Sequence, residues 1–196
     1  MTLYLVRHPA TPWTGSRYLG RRDLSWSRLG GRRADELVAG FRSRLGPSAI
    51  VITSPLRRAR VLADRLATAA GSSIEIDERW LEVDVGRMEG RTFADIEILD
   101  PLLAARLAAG DLDVDWPAGE HFADLEARVL AAFDHVKRRP ERPALIVTHA
   151  GPIAILLRRV QPISAPLRFV GAGDALALEE SGDGSWKVRP VGIGSR

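Results

Sequence analysis

Apolar residues in this chain fall into short continuous runs, separated by stretches in which they return every third or fourth position. Thr2 to Val6 (TLYLV), Ala49 to Thr53 (AIVIT) and Ala144 to Thr148 (ALIVT) are such runs, rich in branched side chains and each followed at once by polar or turn residues. Uninterrupted apolar runs of that length fit strands covered on both faces. From Pro55 to Ala70, the residues Leu56, Ala59, Leu62, Ala63, Leu66 and Ala70 recur at helical spacing, and Gly71 supplies a C-terminal stop. A second amphipathic helix is predicted from about Phe122 to Val136. The C-terminal stretch from Gly171 carries two short alternating runs around Ser181 to Gly184, which reads as an edge hairpin.

Strands alternating with helices predict an α/β fold: a three-layer sandwich with a mostly parallel central sheet and helices on both faces. Ligands in such sheets bind where the strands end at their carboxyl edge. Arg7 with His8, Ser54 to Arg58, and Thr148 with His149 all lie just past predicted strand ends, so three distant segments are expected to converge on one site.

A length of 196 residues with 45% hydrophobic content suits one sizeable core, so a single domain over 1–196 is expected, with a helical substrate-side segment at about 92–119. The absence of cysteine excludes a disulfide framework and a thiolate metal site. No apolar stretch reaches membrane-spanning length, and Arg7 interrupts the N-terminal run too early for a signal peptide, so a cytoplasmic location is expected. The net charge of +3 brings no dense basic runs with interleaved aromatics, and nucleic acid is not expected as a partner. Lysine is limited to Lys137 and Lys187, so guanidinium groups carry nearly all the positive charge. Guanidinium groups suit bidentate phosphate recognition, although compositional bias explains the excess equally well.

Two groups able to carry positive charge, Arg7 and His8, cannot leave a core together unless water or an anion meets them. In TSPLRRA, Ser54 reads as an N-cap and Pro55 as the first helical residue, which places Arg57 and Arg58 in or just after a first turn that is already partly positive. Either arginine can simply reach solvent; the sharper reading is an anion held between guanidinium and helix amides. In VTHAGP, His149 ends a strand, Gly151 relaxes the turn and Pro152 suits the first position of the next helix. A lone histidine there is more often structural than catalytic. There is no Walker loop, no dinucleotide fingerprint and no H-E-x-x-H spacing, and no nucleotide or metal cofactor is expected.

Taken in order, LVRHPAT, TSPLRRA, WLEVDVGRMEG and VTHAGP resemble the histidine phosphatase superfamily in its phosphoglycerate mutase-like branch. The likeness extends over RYLGRRDLSWSRLGGRRA and PAGEHFADLEARV, so it covers most of the chain. Within that branch the latter segment and VTHAGP are most similar to α-ribazole phosphatases and broad-specificity phosphatases. The resemblance implies that His8 is a nucleophile attacking phosphorus, with Arg7, Arg58 and His149 around the phosphate and Glu82 as the acid that protonates the leaving alkoxide and then activates water. From the residues alone, Glu82 reads as well as a surface glutamate in an acidic loop with Glu78, Asp84 and Glu89. Thr11, Thr14, Leu19 and Gly20 fall where relatives face the substrate, and Arg57 is a further candidate binding residue.

Three departures qualify the resemblance. Pro9 stands where the family usually has glycine, which removes one backbone N–H. Val83 stands where mutases of the branch carry an arginine, and the segment before His149 is short. No acid directly follows His149, unlike in the acid phosphatase and phytase branch. Metal-independent hydrolysis of a small phosphorylated metabolite is therefore expected, with mutase-type transfer or a non-catalytic phosphate-binding module as alternatives. The alanine-rich segment with Asp111, Asp113 and Asp115 points to no particular leaving group. A homodimer is an expectation from the general frequency of such assemblies alone.

Overall fold

The computed structural model describes residues 1–140, 143–161 and 170–193; the parts of the expected domain at 141–142, 162–169 and 194–196 lie outside them. Strands β1 (Thr2–Arg7), β2 (Ile50–Thr53), β3 (Ser73–Ile76), β4 (Ala144–Thr148), β5 (Ala175–Glu180) and β6 (Trp186–Pro190) form one sheet in the order β3-β2-β4-β1-β5-β6. The pairs β2/β3, β2/β4 and β1/β4 are parallel, whereas β5 and β6 join antiparallel. The helices are α1 (Arg28–Phe41), α2 (Arg57–Ala70), α3 (Phe93–Leu99), α4 (Pro101–Ala108), α5 (Phe122–Lys137) and α6 (Ala150–Val160).

Side chains on successive strand residues point to opposite faces, and this alternation divides the core in two. Leu3, Leu5, Ile50, Ile52 and Ile146 pack with Val129, Phe133 and Val136 of α5 and Ile153 and Leu156 of α6. Val6, Val51, Leu145 and Val147 pack on the other face with Ala34, Leu37 and Phe41 of α1 and Leu62 and Leu66 of α2. The expected three-layer sandwich is therefore present, with the sheet at its centre. A smaller cluster of Val85, Met88, Ile96, Leu103, Ala104 and Val114 forms a satellite core around α3 and α4. No helix among the described residues is long and apolar enough to cross a membrane.

Two local expectations are corrected. Ser54 is not an N-cap: α2 begins at Arg57 after Leu56, which offers no side-chain cap, and Pro55 precedes the helix. Ser54 Oγ instead accepts from the Leu56 amide at 3.3 Å and meets a ring nitrogen of His149. Pro152 is the third residue of α6, which starts at Ala150 with His149 in the cap position. A proline is tolerated there because the first-turn amides lack helical acceptors anyway. The segment at 92–119 resolves into α3, opened by a Thr92–Asp95 capping box, then α4, then a loop that runs back over the carboxyl edge of the sheet.

Candidate active site

The parallel strands β1, β2 and β4 all end at one edge, so Arg7 with His8, Ser54, and Thr148 with His149 are brought side by side. His8 N donates to Thr148 O at 3.0 Å, which ties the two histidine-bearing strand ends together. The two imidazole centroids lie 5.1 Å apart.

His8 is 3% exposed and its ring is fixed at both nitrogens. Nδ1 lies 2.8 Å from the carbonyl oxygen of Pro9, an acceptor only, so Nδ1 carries the proton. Nε2 then presents a lone pair, and Arg58 Nε donates to it at 3.2 Å. Burial, reinforced by the Arg58 charge, pushes the His8 pKa down to about 3, so the ring is neutral at ordinary pH. Pro9 has lost an N–H but keeps the carbonyl that orients the histidine.

Arg58 is 1% exposed although it stands in the first turn of α2. Besides His8, it donates from Nη1 to Arg22 O at 2.6 Å and from Nη2 to Gly20 O at 2.7 Å. These bonds use three of the five guanidinium N–H groups, leaving two for an anion. Gly20 has φ +53°, and a Cβ there would lie 2.7 Å from Val85, so only glycine lets the 20–22 turn fold down onto Arg58. Arg7 extends from the end of β1 and donates from Nη1 to Val170 O at 2.7 Å. Burial lowers the pKa of both arginines, partly offset by the nearby charge of Glu82.

His149 is fully buried, and its Nε2 lies 2.8 Å from Ser54 Oγ. Its Nδ1 is buried with no hydrogen-bond partner among the described residues. Burial, then the charge of Arg58, holds its pKa well below the ordinary value. His149 therefore lies near the Arg58 and Arg7 charges but is not itself part of the cavity lining.

Glu82 reaches this edge from the loop after β3. Its Oε1 accepts from Val83 N and Gly151 N, each at 3.0 Å, and its Oε2 accepts from Ala150 N at 3.2 Å, so the carboxylate sits on the amino end of α6. The loop itself is anchored from below. Arg128 Nη1 donates to the carbonyls of Arg79 and Leu81 at 2.7 Å, and its Nη2 donates to Glu82 O at 3.2 Å. Glu120 holds that guanidinium through Oε1 at 2.6 Å and Oε2 at 2.9 Å. Thr148 Oγ1 fixes Trp80 O at 2.7 Å, and Arg21 Nε adds a 3.2 Å bond to Glu82 O.

A cavity of about 350 Å³ opens over these groups, lined by Arg7, His8, Arg58 and Glu82 at its floor. Thr14, Leu19 and Gly20 also line it. Thr11 does not: it is buried, and its Oγ1 lies 3.2 Å from Thr14 Oγ1, so it supports the loop from behind. Arg57 is a correction too. It is exposed, its amide donates to Asp23 at 2.8 Å, and its side chain lines a separate depression with Trp26 and Arg28. Adjacent residues in a first turn point about 100° apart, so Arg58 and Arg57 cannot both face the sheet edge. Ser54, Glu120, Arg128, Tyr18, Leu112 and Trp116 are site residues that the sequence reading missed. Glu120 and Arg128 stood inside the quoted PAGEHFADLEARV, but nothing in one sequence says that they carry the Glu82 loop.

The chain and its fold are similar to known proteins. The family description "Histidine phosphatase superfamily (branch 1)" matches residues 3–189. A bifunctional protein of Mycobacterium tuberculosis is 35% identical over 158 residues, covering 80% of this chain and 43% of that protein, so the chain spans less than half the length of this relative. A probable phosphoglycerate mutase of Salmonella paratyphi C is 30% identical over 168 residues, 84% of this chain and 77% of its own. A mycobacterial glucosyl-3-phosphoglycerate phosphatase, solved in complex with VO3, superposes with a TM-score of 0.77 at 28% identity, covering 96% of each chain.

Proposed function

Because the chain belongs to the histidine phosphatase superfamily (branch 1), we propose that it hydrolyses small phosphomonoesters without a metal ion, through a phosphohistidine on His8 and with Glu82 as general acid and base. The observation that carries this reading is the state of His8 in the cavity lining: neutral, with Nδ1 tied to Pro9 O and Nε2 unprotonated, its lone pair held by Arg58 until an anion takes the guanidinium. An imidazole held in that tautomer is a ready nucleophile.

In the first step Arg58 Nε exchanges His8 Nε2 for a phosphoryl oxygen, the freed Nε2 lone pair attacks phosphorus, and the bond from phosphorus to the ester oxygen breaks. Glu82 takes up the proton of a monoanionic ester as it binds and passes it to the departing alkoxide, which leaves as an alcohol. In the second step Glu82 takes a proton from water, the hydroxide forms a new P–O bond, and the P–N bond to His8 breaks to release inorganic phosphate. Charge builds on the equatorial phosphoryl oxygens, where Arg7, Arg58 and His149 Nδ1 would stabilise it, the first α6 amides being held by Glu82. The likeness to a phosphatase that was solved in complex with VO3 supports phosphate-ester chemistry for this fold.

The test is hydrolysis of p-nitrophenyl phosphate and a panel of alkyl phosphates with a chelator present, by wild type beside His8→Ala. Chelator-resistant turnover that drops by ~10³-fold or more in the variant, with an acid-labile phosphoenzyme trapped only in wild type, is the expected result. Turnover unaffected by His8→Ala would overturn the reading. Phosphoryl transfer between glycerates without net release of phosphate would replace it with mutase chemistry.

A further inference from the structure

The cavity changes character above its floor. Tyr18 and Leu19 from the loop after β1, Val83, Leu112 and Trp116 from the loop after α4, and Ile153 of α6 form its walls. The Tyr18 and Trp116 rings meet at 5.5 Å with a 55° tilt, and both pack on the satellite core around α3 and α4, which fixes them as a wall. Among the described residues, besides Arg7, Arg58 and Glu82 at the floor, the charged side chain along the lining is Arg17. Arg17 is exposed, donates to Gly90 O at 2.8 Å and lies 6.0 Å over the Trp13 ring. The neighbouring cations are engaged elsewhere and do not line the cavity: Arg21 with Asp84 and Glu120, Arg22 with Glu89.

Such walls desolvate whatever the ester carries and return few hydrogen bonds. A carboxylate or a second phosphate placed there would lose its water and could regain a cation only by drawing Arg17 from Gly90 O and Trp13, whereas an uncharged ring would lose little and gain contact. We propose that this upper half is a leaving-group subsite for an apolar, ring-bearing alcohol, so that the chain prefers phosphomonoesters of such alcohols over carboxylated or multiply phosphorylated ones. The proposal rests on the phosphomonoesterase reading above for its chemistry, but not for its binding preference. The volume of about 350 Å³ admits a phosphoryl group with one or two rings. The segment at 92–119, which named no leaving group as a sequence, thus contributes Leu112 and Trp116 to specificity through a loop rather than through its helices.

The experiment compares benzyl phosphate, ethyl phosphate and 3-phosphoglycerate, all with alkyl leaving groups, and measures binding of benzylphosphonate by calorimetry in parallel. Benzyl phosphate should lead in kcat/KM by ~10-fold or more, the difference lying mainly in KM, as burial of one ring would give. Trp116→Ala should remove most of that lead while ethyl phosphate stays within ~2-fold, and Trp116→Phe should restore it. Leu112→Ala should act in the same direction and checks that the Trp116 result is not a folding defect. Equal or better turnover of 3-phosphoglycerate would overturn the subsite and leave the phosphatase reading standing. Loss of activity on benzyl and ethyl esters alike in both alanine variants would also overturn it. Tight benzylphosphonate binding without turnover of any ester would keep the subsite and reject the phosphatase reading.

Discussion

Arg58 Nε lies 3.2 Å from His8 Nε2, and the same guanidinium spans the carbonyls of Gly20 and Arg22. One side chain therefore both aims the nucleophile and closes the loop over it. Lysine keeps the charge but cannot reach three diverging acceptors from one nitrogen. Arg58→Lys should lower kcat on p-nitrophenyl phosphate by ~10²-fold and leave the Gly20 turn loose enough to raise KM as well. Steady-state kinetics on the purified variant would check it, and unchanged kcat would remove Arg58 from the site.

Glu82 and the leaving group can be separated by chemistry. p-Nitrophenolate departs without help, whereas an alkoxide needs a proton, so Glu82→Gln should cost ~10-fold or less on p-nitrophenyl phosphate and ~10²- to 10⁴-fold on ethyl phosphate. Rates on a series of esters with rising leaving-group pKa would show the steeper dependence. Equal losses across the series would mean that Glu82 only binds.

The bond from Arg128 to Glu82 O extends this logic one residue outward. The Arg128–Glu120 pair is mostly buried, at 17% and 9% side-chain exposure, so breaking it leaves Glu120 with reduced compensation and should destabilise the fold by about 3 kcal/mol. A merely structural role would slow all esters equally. Arg128→Gln should instead slow ethyl phosphate more than p-nitrophenyl phosphate, as Glu82→Gln does, and the two substitutions combined should cost less than the sum of their separate effects.

The parts of this fold that were legible in the sequence are those where burial is two-sided. TLYLV, AIVIT and ALIVT lie at the sheet centre, so nothing polar interrupts them, and their carboxyl ends announce Arg7, His8 and His149. Strand β3 passed unseen because Ser73–Ile76 (SIEI) is a short edge strand with mostly exposed side chains and no apolar run. Helix α1 also escaped, since Gly30, Gly31 and its many arginines dilute the stripe of Ala34, Leu37 and Phe41 that packs on the sheet. Glu82 was ambiguous for a different reason: its place on the amino end of α6 depends on contacts 68 and 69 residues away, which local pattern cannot carry. The resemblance already set Arg58 apart from Arg57, and helix phase supplied the physical reason once the true start of α2 was known.

Acid should unfold this protein through its histidines before its carboxylates. In the unfolded chain His8 titrates near the ordinary 6.5, but in the fold near about 3, so below 6.5 the unfolded state binds a proton that the native state refuses. That contribution is complete above the unfolded pKa and is lost as pH falls toward 3, and His149 acts in the same sense. Stability should fall by roughly 2 kcal/mol on account of His8 between about pH 6.5 and about pH 5. Asp77 and Glu120, held below their ordinary 3.8 and 4.5, lose their contributions only at lower pH. Urea midpoints measured across that window should slope upward with pH in wild type and more gently in His8→Gln.

Gly151 offers the cleanest way to move Glu82 without touching it. A Cβ at residue 151 would lie 2.6 Å from Glu82 Oε1, while the next nearest atoms are the Val83 side chain at 3.7 Å. The carboxylate end is flexible, so it yields rather than the backbone, and alanine within α6 adds up to about 1 kcal/mol of helix preference over glycine. The fold should therefore hold or gain slightly in Tm. Displacing the carboxylate from the amides of Ala150 and Gly151 should nevertheless cost ~10²-fold in kcat/KM on ethyl phosphate and under ~10-fold on p-nitrophenyl phosphate. A stabilised variant with that split separates proton delivery from folding in a single substitution. Full activity on the alkyl ester would mean that the acid works from some other position than the one it holds on α6.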